Sequence, residues 1–252
     1  MRAVVTFAVN AEFAPWRRLR AFRCVRPAAP AWYEYSSGEG LNVRVVLTGM
    51  GEHHARQAAK AALADGADVC ISAGLAGGLR AGQRTGDILV ANVVVKDREP
   101  VAVASDPDLV ALAAECGARQ GSRFITTREV VVHAADKKRL GDRADAVEME
   151  SLAVLAEAAV RGVPAVAIRA IADTVDFDLP FDFSGACDAG GQIRIGKVIA
   201  AALAHPQRIP ALLRLAGDCR RASRGLAAFL DAFTGSLAER YKHAKTELLA
   251  TT

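Results

Sequence analysis

Short runs of branched aliphatic residues alternate along the chain with stretches of helical spacing, a pattern that predicts an α/β fold with a largely buried sheet. MRAVVTFAV reads as a first strand, followed by a turn carrying Asn10, Ala11 and Glu12 and then a helix over APWRRLRAF. AWYEY and VRVVL read as strands on either side of the turn SSGEG. TGMGEHHARQAAKAALADGA is a glycine turn opening an alanine-rich helix, and DVCIS is a strand that runs into AGLAGGL. GDILVANVVV is a long aliphatic strand, and Asp106-Pro107 marks the N-cap and first position of a helix over DLVALAAECGA. ITTREVVVHAADKKRL passes from strand to helix near Asp136.

The stretch from Val147 to Asp176 carries the clearest unit. A helix over ESLAVLAEAAVR is broken by Gly162 and Pro164, and the buried strand VPAVAIRAI follows. Glu148 and Glu150 fall at the helix N-terminus, where the macrodipole favours anions. Asp173 follows the carboxyl end of the strand, where open α/β sheets place their ligands. Residues 177–191 read as a loop, and helical spacing returns over 193–205. The remainder is amphipathic and reads as two helices broken near Gly217 or Ala222. The expected organisation is one domain over residues 1–204 with a basic helical extension over 205–252.

Composition narrows the classes. With 52% hydrophobic and 24% charged residues the chain can bury a sizeable core and is not disordered. No apolar run reaches the roughly 18 residues of a membrane span, and the N-terminus enters a strand without a signal-peptide pattern, so a cytoplasmic protein is expected. Five cysteines, at 24, 70, 116, 187 and 219, form no CxxC pair and fit reduced, packed thiols. Eight Lys or Arg and four Asp or Glu lie from residue 205 onward, so residues 1–204 are balanced and the net charge of +4 belongs to the tail. That distribution gives no general case for nucleic acid binding. The five histidines, at 53, 54, 133, 205 and 243, lack ligand spacing, so no metal is expected. Thr48-Gly49-Met50-Gly51 could aim backbone N–H groups at an anion or a polarised water, although the GK[ST] ending of a Walker loop is absent.

The motifs AVNAEF, TGMGEHHA, SAGLAGGL followed by GDILVANVV, VEMES and AIADTVD, in that order over residues 3–204, resemble the nucleoside phosphorylase and nucleosidase superfamily. DFDLPFDF and the segment HPQRIPALLRLAGDCRRASRGLAAFL resemble more narrowly its hopanoid-associated branch. The resemblance implies a three-layer α/β/α fold with a twisted mixed central sheet, no cofactor, an adenosine-type substrate and a homodimer. It implies cleavage of an N-glycosidic bond, with adenine leaving from an oxocarbenium-like sugar. Asp173 then matches the acid that protonates the purine, Glu150 the carboxylate that accepts the ribose hydroxyls, Met149 the residue packed on the sugar, and Glu12 the carboxylate that positions and deprotonates water. Val130 and Val131 match the backbone that holds the base, without the aromatic residue common there; Phe124, Phe177 and Phe181 are its possible substitutes. Thr48, Gly49, Gly51, Gly74 and Leu75 match the turns around the water or phosphate, and Leu75 replaces the serine of the family's turn. Glu148 is expected to be structural.

The narrower resemblance implies adenosylhopane as substrate, a lipid-linked nucleoside, and gives the basic tail two readings: contact with a membrane surface, or packing on the core. Water and phosphate both remain open as the attacking group, Arg17, Arg44 and Arg56 being the arginines available to a phosphate. A non-catalytic nucleoside-binding protein at a membrane is the remaining alternative.

Overall fold

The protein is described here from a computed structural model, which covers residues 1–37, 40–182, 191 and 194–250. Part of the SSGEG turn, most of the loop expected over 177–191 and the first residues of the 193–205 segment lie outside the described residues.

Among the described residues, ten strands form one mixed sheet. Strands β4 (Asn42–Leu47), β1 (Arg2–Phe7), β5 (Val69–Gly78) and β10 (Ala165–Asp173) run parallel, each hydrogen-bonded to the next. Their residues are buried on both faces, which explains continuous aliphatic runs such as VVTF and AVAIRAIA. On one side the antiparallel strands β3 (Ala31–Ser36) and β2 (Arg23–Arg26) extend the sheet. On the other, β10 pairs antiparallel with β6 (Ile88–Lys96), β6 runs parallel to β8 (Arg119–Thr126), and β8 to the short β9 (Ala146–Glu148). Because β9 also pairs with β5, strands β5, β10, β6, β8 and β9 close a circuit, leaving β7 (Ala102–Ala104) as a flap on β6. β7 and β9, three residues each, are too short to show a period and are not anticipated by the pattern.

Helices cover both faces. Helices α2 (Glu52–Ala62) and α5 (Ser151–Val160) set alanines and leucines against β1, β5 and β10 in one core. Helices α1 (Asn10–Leu19), α3 (Pro107–Glu115) and α7 (Ile209–Ala250) form the other, around Phe7, Phe13, Trp16, Leu226, Leu230 and Phe233. This is the three-layer arrangement with a mixed sheet that the resemblance implies. The Asp106 cap is present, its side chain accepting from the N–H groups of Asp108 and Leu109 at 3.0 and 3.1 Å. The helix expected near Asp136 is α4 (Ala134–Gly141), and α6 (Ile195–Ala204) falls within 193–205.

The C-terminal segment departs from expectation. In place of two helices broken near Gly217 or Ala222, a single α7 runs unbroken, followed from α6 through one 3-10 turn at Pro206–Arg208. Ala222 is fully buried and Gly217 lies mid-helix. A mid-helix glycine costs only about 1 kcal/mol, whereas burying Leu226, Leu230 and Phe233 contributes roughly 1.5–3 kcal/mol each. Asp231 fastens α7 to α1, accepting from Arg20 at 2.6 and 2.8 Å and from Trp16 Nε1 at 3.3 Å.

Candidate active site

The carboxyl ends of β1, β5, β9 and β10 bring four carboxylates together. Glu12 stands in the first turn of α1, which begins at Asn10, immediately after β1. Its side chain is buried and turns back, Oε2 accepting from the N–H groups of Ala8 and Val9 at 3.0 and 3.2 Å and Oε1 from that of Leu75 at 2.8 Å. Burial pushes the Glu12 carboxyl above the usual range, against these hydrogen bonds and the charge of Arg169. Gly74 makes room for it, since a Cβ there would stand 3.0 Å from Glu12 Oε1 and 3.5 Å from Arg169 Nη1.

Arg169 is the central residue that sequence reasoning passed over. It lies in the middle of β10, completely enclosed, with Nη2 2.7 Å from Glu148 Oε2 and 3.3 Å from Ser72 Oγ, and Nη1 3.0 Å from the Ser72 carbonyl. Glu150 Oε2 lies 3.9 Å from the same Nη2. Its Nε has no protein partner among the described residues. A charged residue in the middle of a strand that is otherwise apolar up to Asp173 was the available signal, because a buried guanidinium requires a carboxylate beside it.

Glu148 is that carboxylate, and its partners among the described residues all belong to the fold itself. Besides Arg169 it accepts from the N–H groups of Glu150 and Ser151 at 2.9 and 2.6 Å and from the Thr126 hydroxyl, so it caps α5. Glu150 occupies the N-cap position itself and accepts from Gly51 N–H at 2.7 Å. Burial, reinforced by the neighbouring Glu148 charge, pushes its carboxyl up to about 8, with Arg169 opposing. Met149, between the two, is half-buried.

Asp173 ends β10 at an irregularity in its pairing with β5. Gly77 of β5 faces it: a Cβ there would meet Asp173 Oδ2 at 3.4 Å and Val147 Cγ1 at 3.1 Å. Burial raises the Asp173 carboxyl above its ordinary range, opposed by Lys137, whose ammonium binds Oδ2, and supported by Asp218 of α7. Val130 and Val131 lie in the loop between β8 and α4, both half-buried, with Val131 packed beside Leu79, Ile125, Ala144 and Val147. That loop meets the segment after Asp173, since Leu179 N–H donates to the Val132 carbonyl at 2.9 Å.

The glycine turn is occupied from within. The N–H groups of Thr48, Gly49, Met50 and Gly51 donate to Phe7, Ala8, Gly191 and Glu150, at 2.8, 2.9, 3.0 and 2.7 Å. The Thr48 hydroxyl is spent on the Gly49 carbonyl at 2.7 Å. Arg17 lies over the Tyr33 ring, Arg44 pairs with Glu34 and Asp65, and Arg56 pairs with Glu52 and Glu157. Of the three aromatic candidates, Phe124 is sealed in the α2/α5 core. Phe177 and Phe181, just beyond Asp173, carry the guanidinium groups of Arg214 and Arg208 at 5.2 and 5.7 Å from their ring centres. No cluster of three metal-ligating side chains occurs among the described residues, and no helix among them is long and apolar enough to cross a membrane.

A sheet whose strand ends gather buried carboxylates around an arginine, with glycines cut to their shape, defines a class of fold shared with nucleoside-cleaving enzymes. The Phosphorylase superfamily matches residues 23–204, more than half of the chain, and the chain belongs to that family. Three solved structures show the same fold. A 5′-methylthioadenosine/S-adenosylhomocysteine nucleosidase from Neisseria meningitidis is 20% identical, with 93% of this chain and 99% of that chain covered and a TM-score of 0.70. The corresponding nucleosidase from Helicobacter pylori, bound to butyl-thio-DADMe-Immucillin-A, is 17% identical over 94% and 98%, with a TM-score of 0.72. Futalosine hydrolase of Helicobacter pylori strain 26695 is likewise 17% identical over 94% and 98%, with a TM-score of 0.72. Glu12 and α7 lie outside the segment matched by the family.

Proposed function

We propose that this protein hydrolyses the N-glycosidic bond of an adenosine derivative and releases adenine. The observation that carries the reading is that Glu12 and Glu150 gather around Arg169 and the Leu75 N–H, while Asp173 and Glu12 both bear on Cys219 of α7. Asp173, whose carboxyl burial raises above its ordinary range, gives a proton to the departing purine. Glu150 accepts hydrogen bonds from the 2′- and 3′-hydroxyls, with Met149 beside the sugar. Glu12, made more basic by its surroundings, orients water and takes its proton as C1′ becomes cationic. Val130 and Val131 offer backbone groups to the base, and Phe177 replaces the missing aromatic.

Water rather than phosphate is favoured as the nucleophile by two observations. Every N–H of residues 48–51 already binds a protein oxygen, and Arg17, Arg44 and Arg56 are committed to other partners. A phosphate dianion would have to displace Glu150 from Gly51, and the cations at the site, Arg169 and Lys137, are already bound to Glu148 and Asp173. The test is chromatographic measurement of adenine release with and without phosphate. Release independent of phosphate, with free sugar as co-product, supports hydrolysis; strict dependence on phosphate with a sugar 1-phosphate refutes it, and no release from any adenosine derivative refutes the enzyme reading.

For the C5′ substituent we propose a large apolar group, adenosylhopane being the substrate that the DFDLPFDF segment suggests. Leu203 and Leu213, at the end of α6 and the start of α7, are strongly exposed, while Arg208 and Arg214 reach from the same region to the loop after Asp173. These leucines could meet a lipid, or the surface of the membrane that holds it, with arginines toward head groups. Because the apolar side of α7 is built into the core, point substitutions are the right probe. Leu203→Ser with Leu213→Ser should weaken turnover of the lipid-bearing nucleoside more than that of 5′-methylthioadenosine; equal effects would reject the lipid contact.

A further inference from the structure

Helix α4 carries two adjacent lysines with opposite fates. Lys138 is 60% exposed and pairs with Asp176 at the surface, whereas the Lys137 side chain is 1% exposed. Removing an ammonium from water costs several kcal/mol unless its charge and its N–H donors are all satisfied. Lys137 meets that condition at one place only: Nζ binds Asp173 Oδ2, the Phe177 carbonyl at 2.7 Å and the Thr174 carbonyl at 3.4 Å. All three donors of the ammonium therefore converge on Asp173 and the turn that follows it.

We propose that Lys137 is the positioning residue for Asp173, holding its carboxyl at the mouth of the site and balancing the negative charge left there when its proton departs. The inference rests on the nucleosidase reading and specifies how that site controls its acid. As the C1′–N9 bond breaks, its electron pair passes to the base and the Asp173 proton moves to the purine. Water adds at C1′ and yields its proton to Glu12, and exchange with solvent restores both groups. Lys137 keeps its charge throughout.

The need for this charge follows from the surroundings. Asp173 is enclosed, with Gly77 of β5 against one side. Helix α7 presents Asp218, a second carboxylate, and the Cys219 thiol, itself pushed up to about 12 by burial and by the same carboxylates. Without Lys137 the ionised product form of Asp173 would face only burial and like charge, and proton transfer to the base would run uphill. The two carbonyl contacts add a geometric consequence. Thr174 and Phe177 delimit the turn after Asp173, so the group that supports the acid also fixes the backbone from which the Phe177 ring extends.

The test compares Lys137→Met, Lys137→Gln and Lys137→Arg in pH profiles of adenine release, each protein first shown to be folded by thermal melting. In Met and Gln, kcat should fall about 10²-fold, within the range of a general acid's contribution, with KM changed much less. The basic limb of the kcat/KM profile should move up by roughly a pH unit or more, because a nearby cation no longer favours the carboxylate. Arg should return the limb toward its wild-type position. Gln keeps an N–H for the carbonyls, so it serves if Met fails to fold. A limb that stays in place in an active Met or Gln variant reduces Lys137 to a structural tie and overturns the inference alone. No adenine release by the wild-type protein removes the nucleosidase reading and the inference with it.

Discussion

Arg169 Nη2 lies 2.7 Å from Glu148 Oε2, and neither side chain reaches solvent. The pair is the floor of the site: Arg169 draws Ser72 and Glu150 toward it, while Glu148 secures the first N–H groups of α5. Glu148→Ala strands a buried guanidinium and two helix N–H groups. The expected loss is about 3–5 kcal/mol in denaturant unfolding, much of it recovered when Arg169→Met is added. Additive losses would show that the two side chains do not act together.

Asp173→Asn removes the only proton that the site can deliver from the end of β10. It should lower kcat by about 10²–10⁴-fold, and it should lower the melting temperature as well, because the enclosed Lys137 ammonium loses its counter-charge. Near-normal turnover would exclude it as the acid.

Gly74→Ala puts a methyl group 3.0 Å from Glu12 Oε1. The carboxylate, fixed by three N–H donors, must shift by a few tenths of an ångström, and misplacement on that scale should cost up to about 10²-fold in kcat/KM. Stability should change far less than activity, which differential scanning calorimetry beside steady-state kinetics can check.

Glu150 links stability to pH. Its carboxyl is raised from 4.5 to about 8 in the folded protein, so between those values the folded state holds more protons than the unfolded one. Its contribution is complete below about pH 4.5 and is lost as pH rises through 8. Chemical denaturation across pH 5 to 9 should therefore show wild type losing ground steadily to Glu150→Gln as pH increases. A constant difference between the two proteins would mean that Glu150 titrates normally.

Much of this was legible beforehand. Aliphatic runs located β1, β4, β5, β6 and β10, Asp106-Pro107 located α3, and the strand ends pointed to Glu12 and Asp173. What escaped reading shares a cause: partners distant in the chain. Lys137 looks like any basic residue until the fold sets it against Asp173, 36 positions away, and the charge of Arg169 inside an apolar strand finds its reason only in Glu148, 21 positions away. β9 exists because β5 and β8 both offer it hydrogen bonds, not because three residues prefer extension. The unbroken α7 was hidden by Gly217, whose local cost is outweighed by packing against Phe7, Phe13 and Trp16.

Helix α7 also imposes an order on synthesis. Leu226, Leu230 and Phe233 of α7 cover apolar surface of α1 and the inner strands, so a nascent chain that has released everything up to α6 still shows the ribosome's surroundings an unfinished face. Completion waits for α7 to emerge, and until then this face is a natural landing place for chaperones.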